Sequence, residues 1–172
     1  DDVVELGNLH RQILFDEEDA RKGRTKVDAA LRVLRSVNST ITIEGHVTRL
    51  TEDNADRLLE GADVVVDGTD NLVSRALLNQ RCAEKEIPWV YGGIVGVHGM
   101  VLPIIPGRGP CLRCVFSDDA LVDEEGGSVA NREGVFGPTP AVVGSLQGAS
   151  AIRLLTAPET LTVKLLSIDV WS

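Results

Sequence analysis

The sequence predicts an α/β fold, a Rossmann-like and mostly parallel sheet with an antiparallel extension. Three observations carry that expectation. Val64-Val65-Val66 runs into Asp67-Gly68-Thr69-Asp70-Asn71, the pattern of a parallel strand covered on both faces that ends in a loop and a capped helix. Short β-branched runs alternate with longer segments of helical period, as in a parallel sheet with helices on its faces. Two later apolar runs lie close together with glycines between them, which suits an antiparallel extension.

Composition bounds the rest. The 172 residues suffice for one domain with a core, so residues 1–172 are read as a single domain. Hydrophobic residues at 43% and charged residues at 25% are the balance of a soluble globular protein. No apolar run reaches membrane-spanning length and no signal peptide opens the chain, so no membrane partner is expected. A formal net charge of -9 weighs against nonspecific nucleic-acid binding, while allowing a local basic patch for phosphates. Three cysteines are too few for a disulfide framework and fit a reducing, cytoplasmic compartment. Asp1–Leu6 reads as the tail of a strand and no initiator Met is present, so a preceding segment is expected.

In order, residues 3–6 finish a strand and residues 7–12 form a polar turn. Asp16-Glu17-Glu18-Asp19 opens a short helix as a solvated acidic start. Gly23 breaks the chain and Thr25 caps the next helix. Val27, Ala30, Leu31, Leu34 and Val37 recur at helical spacing, predicting that helix over 26–37. Residues 41–47 alternate and predict a strand, with His46 facing solvent. A helix over 53–60 ends at Gly61, a strand covers 62–67, and a helix comes next over 71–86 with Cys82 as a buried, inert thiol. Pro88–Tyr91 opens a strand that Gly92-Gly93 breaks, and Val97–Ile105 forms another. Ile94–Ile105 reads equally as core or as a docking surface. Residues 106–140 show no period and predict a long loop holding a cysteine knuckle and an acidic stretch from Asp118 to Glu125. Pro140 starts a helix with Val143, Leu146, Ala149, Ile152 and Leu155 on one stripe, and Leu161–Val170 alternates as a last strand.

Ligands of open α/β sheets lie beyond the carboxyl ends of the strands, which is where Asp70 falls. Asp70 is therefore either a helix N-cap or a site carboxylate. Arg11 and Lys26 each come after a break in the chain. They are surface charges or phosphate-binding cations, and the second reading gains weight beside a carboxylate able to hold magnesium. Asp67 would share the metal or bond nearby backbone. Cys111-Leu112-Arg113-Cys114 offers half of a tetrahedral zinc site, a redox pair or two unrelated thiols. No G-x-G-x-x-G loop is present, and Gly92–Gly96 enters a strand instead.

Several motifs then agree in order. Asp2 and Asn8-Leu9-His10-Arg11-Gln12 are followed by Gly23-Arg24-Thr25-Lys26, Asp67-Gly68-Thr69-Asp70-Asn71 with Arg75, Cys111–Cys114, and Gly144-Ser145-Leu146-Gln147. This set closely resembles the ThiF/MoeB/HesA family, relatives of the ubiquitin-activating enzymes, over nearly the whole chain, and is MoeB-like. The resemblance implies an adenylyltransferase that uses ATP and Mg2+ to activate the C-terminal Gly-Gly carboxylate of a ubiquitin-like sulfur-carrier protein, of the molybdopterin or thiamine type. It implies Asn8, Arg11 and Lys26 as nucleotide-binding residues, with Arg11 and Asp70 catalytic. Asp70 would be the magnesium ligand, Cys111 and Cys114 half of a Zn2+ site, and the protein a homodimer. The family's glycine-rich loop would lie before Asp1 and its second cysteine pair after Ser172. Where some relatives carry a loop cysteine, this chain aligns Ala130, which disfavours a covalent intermediate. The rivals are a silent partner subunit, a branch acting on a small molecule or tRNA base, and a dinucleotide-dependent oxidoreductase.

Overall fold

Four strands lie side by side in chain order: β1 (Val65–Val66), β2 (Trp89–Val95), β3 (His98–Ile104) and β4 (Leu166–Asp169). β1 and β2 are parallel, while β2–β3 and β3–β4 are antiparallel. The computed structural model describes residues 1–116 and 134–172. The acidic stretch Asp118–Glu125 and Ala130 lie outside the described residues. The chain forms two compact units, Asp1–Arg49 and Leu50–Ser172.

The first unit holds α1 (Glu17–Arg21) and α2 (Lys26–Val37). Asp16 caps α1, its Oδ1 accepting from the Asp19 N–H at 2.8 Å while Asp19 Oδ2 accepts from the Asp16 N–H. The acidic start is not simply solvated. Asp19 is fully buried and accepts from Arg24 Nη1 at 2.6 Å and Arg32 Nη2 at 2.8 Å. A buried carboxylate needs such partners. Thr25 caps α2, accepting from the Asp28 N–H, and α2 spans the expected residues. The expected strand at 3–6 is one antiparallel bridge, Val3 to Thr25, followed by a 3-10 turn at Leu6–Asn8. Residues 41–47 form no ladder among the described residues. Their alternation suits an extended chain, but a strand also needs a neighbouring strand for its backbone groups; here the Ile43 carbonyl accepts instead from Arg35 Nη2 at 3.2 Å.

The second unit adds α3 (Glu52–Leu58), α4 (Leu72–Glu84), α5 (Leu112–Val115) and α6 (Pro138–Thr156). Two parallel strands need a crossover, and α4 provides it between β1 and β2. β1 is shorter than expected and not covered on both faces, since Val66 is 48% exposed. Gly92-Gly93 do not break β2, which runs through both into a two-residue turn at Gly96-Val97. Gly96 has φ +57°, the conformation a type II′ hairpin requires at its first loop residue. Side chains alternate across the hairpin. Trp89, Tyr91, Leu102 and Ile104 pack with Leu78 and Cys82 on one face, and Val90 and Val101 pack with Val143 and Leu154 on the other. Val101, Leu102 and Ile104 are thus core, not a free docking surface.

α6 begins at Pro138 rather than Pro140, because proline suits the first helical turn. Its buried face is Thr139, Val143, Gln147, Ala151 and Leu154; Ile152 and Leu155 of the expected stripe are exposed. The helix is apolar on several sides, so its spacing alone does not fix the face. β4 occupies only part of the expected 161–170 run. No helix of the described residues is long and apolar enough to cross a membrane.

Candidate active site

The loop after β1 is pinned at each residue around Asp70. Asp67 is buried, and its N–H donates to the Val90 carbonyl at 3.0 Å. Its Oδ1 accepts from the Thr69 N–H at 2.8 Å and the Thr69 hydroxyl at 2.7 Å, closing an Asx turn. Its Oδ2 accepts from Arg75 Nε at 3.0 Å. Asp67 is thus committed to the loop's own structure, the second of its two expected roles. Asn71, not Asp70, is the N-cap of α4, accepting from the Ser74 N–H at 2.8 Å.

Asp70 stands between these fixed neighbours. It is exposed and makes no hydrogen bond or ion pair with the described residues. A carboxylate with neither a capping nor a pairing role, at the carboxyl end of a parallel strand, is available to a ligand. One such group, with phosphate oxygens and water completing the shell, is the usual protein share of a magnesium site. The donor set therefore fits magnesium held together with a nucleotide. An open cavity of about 590 Å3 lined by Asp56, Arg57, Lys85 and Ile87 includes no residue of this loop.

Arg75 and Gln147 support the loop from below. Arg75 Nη2 donates to the Thr69 carbonyl at 2.5 Å and the Gly92 carbonyl at 2.8 Å, and the guanidinium lies 5.1 Å from the Tyr91 ring centroid. Gln147 Nε2 donates to the Asp67 carbonyl at 2.7 Å and the Val90 carbonyl at 3.1 Å. The sequence placed both residues in motifs without assigning either a role. A signal was present for Gln147, which shares the helical spacing of Val143 and Ala151 and so belongs to the buried stripe.

In the first unit, Asn8 Oδ1 accepts from Arg11 Nη2 at 2.6 Å, and Arg11 Nη1 donates to the Gly7 carbonyl at 3.2 Å. Arg11 pairs with no carboxylate among the described residues, so no acidic side chain neutralises its charge there. Lys26 differs. Its Nζ is 2.8 Å from Asp2 Oδ2, and this hydrogen bond holds the Asp2 carboxyl below its ordinary range.

Cys111 and Cys114 bring their sulfurs to 3.6 Å without a bond. Four sulfurs around zinc at about 2.3 Å are separated by about 3.8 Å, so the pair already has the spacing of one tetrahedron edge. Asn79, which the sequence did not single out, is buried and accepts from the Leu112 N–H at 3.0 Å. Burial alone would raise the Cys111 thiol. Hydrogen bonds from Cys114 and from the Arg113 N–H, with Asn79, outweigh it and hold the thiol below its ordinary value. Among the described residues no group of three or more His, Cys, Asp or Glu is placed to hold a metal, and the pair alone does not complete a site.

The model of the ThiF family matches residues 1–172. The chain belongs to the ThiF family. Among similar ThiF-family proteins is the sulfur carrier protein ThiS adenylyltransferase of Bacillus subtilis (strain 168), 38% identical over 170 residues that cover 99% of this chain and 49% of that protein. The sulfur carrier protein adenylyltransferase of Thermus thermophilus is 38% identical over 161 residues, covering 90% and 57%. The chain thus spans about half the length of these curated relatives. A crystal structure of E. coli MccB with AMPCPP and MccA superposes with a TM-score of 0.75 at 22% identity, covering 98% of this chain and 54% of that one. That likeness establishes a shared α/β fold.

Proposed function

We propose that this chain forms part of an enzyme that uses ATP to adenylate the C-terminal Gly-Gly carboxylate of a ubiquitin-like sulfur-carrier protein. The observation that carries the reading is Asp70, an exposed carboxylate without partners among the described residues, fixed between Thr69 and Asn71. The similarity to sulfur carrier protein adenylyltransferases supports the same chemistry.

In this reading the tail carboxylate attacks the α-phosphorus of ATP. A carboxyl-oxygen–phosphorus bond forms and the phosphorus–oxygen bond to pyrophosphate breaks. Negative charge passes to the leaving pyrophosphate, so positive charge set in place beforehand lowers the barrier. Magnesium supplies part of it when bound. Arg11, held by Asn8 and the Gly7 carbonyl, offers a guanidinium to phosphate oxygens, and Lys26 offers a second cation on leaving Asp2. Asp70 would hold that magnesium ion against the phosphates. Cys111 and Cys114 would supply two thiolates to a structural zinc, with its further ligands outside the described residues. The pathway is that of thiamine or molybdopterin, the assembly a homodimer, and the compartment the cytoplasm.

ATP–pyrophosphate exchange on the full-length protein with a Gly-Gly-ended carrier tests the reading. Exchange should require the carrier and fall by at least about a hundredfold in Asp70→Ala. A folded protein that binds the carrier without exchange would instead be a silent subunit.

A further inference from the structure

We infer that Arg75 is a positioning residue whose guanidinium sets the Asp70 carboxylate for its ligand. The inference rests on the adenylation reading of the site and adds a role to a residue that touches no substrate.

Asp70 itself is held by nothing among the described residues, so its placement depends on its neighbours. Arg75 holds three of them or their supports. Nε binds the Asp67 carboxylate, and Nη2 reaches both the Thr69 carbonyl and the Gly92 carbonyl on the adjacent strand. One planar group thus ties the start of the loop, the residue before Asp70 and β2 together. The fork is what makes this possible, and a lysine cannot reproduce it.

Helix stability does not explain an arginine here. Arg75 lies in the first turns of α4, where the helix dipole disfavours a cation. Nor does burial of the pair explain it, since buried ion pairs are often matched by apolar residues of the same volume. The Arg75 side chain is only 11% exposed and its neighbour Asp67 is fully enclosed. The guanidinium is also fixed from above by the Tyr91 ring. What the arrangement specifies is the shape of Asp67–Asn71.

The test uses the full-length protein and Arg75→Lys, with the isosteric Asp67→Asn as a second variant. Melting curves establish folding. Hydrogen–deuterium exchange then reads the Thr69 amide, which donates to Asp67 Oδ1, and Mn2+ titration in the presence of ATP reads the metal site. In each folded variant, loop protection should fall, and the Mn2+ dissociation constant should rise by about tenfold or more. The KM for the carrier should stay unchanged while kcat falls. Wild-type protection and Mn2+ affinity in folded Arg75→Lys would overturn the inference. Failure of the unsubstituted protein to catalyse carrier-dependent exchange would sink the adenylation reading separately. The loop protection of Arg75→Lys would still decide whether Arg75 holds Asp70.

Discussion

Gln147 on α6 donates its side-chain amide to the Asp67 carbonyl at 2.7 Å, across eighty positions of the chain. The bond is buried, and the same nitrogen also reaches the Val90 carbonyl. One side chain therefore ties the end of β1 to β2 and to the helix beneath them.

Gln147→Leu should destabilise the protein by about 2 kcal/mol, because the Asp67 carbonyl loses a buried donor that a leucine cannot replace. The Val90 carbonyl keeps the Asp67 N–H, which limits the loss to one orphaned acceptor. Urea unfolding at constant m-value measures the difference. A change below about 0.5 kcal/mol would mean that water takes over the bond.

Gly92→Ala should cost about 1–3 kcal/mol. A Cβ at Gly92 would meet Gln147 Cδ at 2.5 Å, too close for any rotamer that keeps the amide bonds. Adding Gln147→Ala makes room, so the double variant should lose less than the sum of the two single ones. Additive losses would show that the glycine serves the backbone and not this contact.

These two residues mark where the sequence stops being legible. Local signals sufficed for α2 and for the antiparallel pairing of β2 with β3, because each depends on neighbours in the chain, whereas the cap falls on Asn71 and not on Asp70. Gly92-Gly93 looked like a break because the side chain that needs Gly92 to be small lies on a helix far along the chain. Asp19 looked solvated because its partners, Arg24 and Arg32, arrive only when α2 folds beside α1. Alternation at 41–47 encodes an extended chain but not a ladder partner. At the site, the order of motifs pointed to Asp70, while the support given by Arg75 required the fold.

Cys82 makes stability depend on pH in the alkaline range. Burial pushes its thiol from an ordinary value of 9.0 up to about 11. At pH below about 9 the thiol is neutral in both states and its contribution is complete. As pH rises, the unfolded thiol ionises first, so stability is lost between about 9 and about 11, by about 3 kcal/mol at most. Cys82→Ala should flatten that part of the stability–pH curve. An unchanged slope would exclude this thiol as the cause.

Zinc should bind at the knuckle of the full-length protein at about one ion per chain. Cys111→Ser should release it, since one edge of the tetrahedron is lost. Metal analysis and a chromogenic chelator give the stoichiometry. In metal-free protein the exposed Cys114 should react with a thiol reagent well before the buried Cys82. Full metal retention in Cys111→Ser would remove the knuckle from the zinc site.

The strand order β1-β2-β3-β4 leads to the expectation that the second unit assembles outward from its middle. The β2–β3 hairpin closes through two residues, so its loop entropy is small and its two faces offer apolar side chains at once. β1 and β2 are separated in the chain by α4, and β4 pairs with β3 across the long stretch between Ile104 and Leu166, so both pairings close larger loops than the hairpin. The hairpin is the least costly nucleus, and substitutions in Val90 or Leu102 should slow refolding with φ-values well above those at Val65 or Ile168. Equal φ-values across the four strands would show a diffuse transition state instead. On this route the Asp70 loop takes its final shape late, when the framework it hangs from is already built.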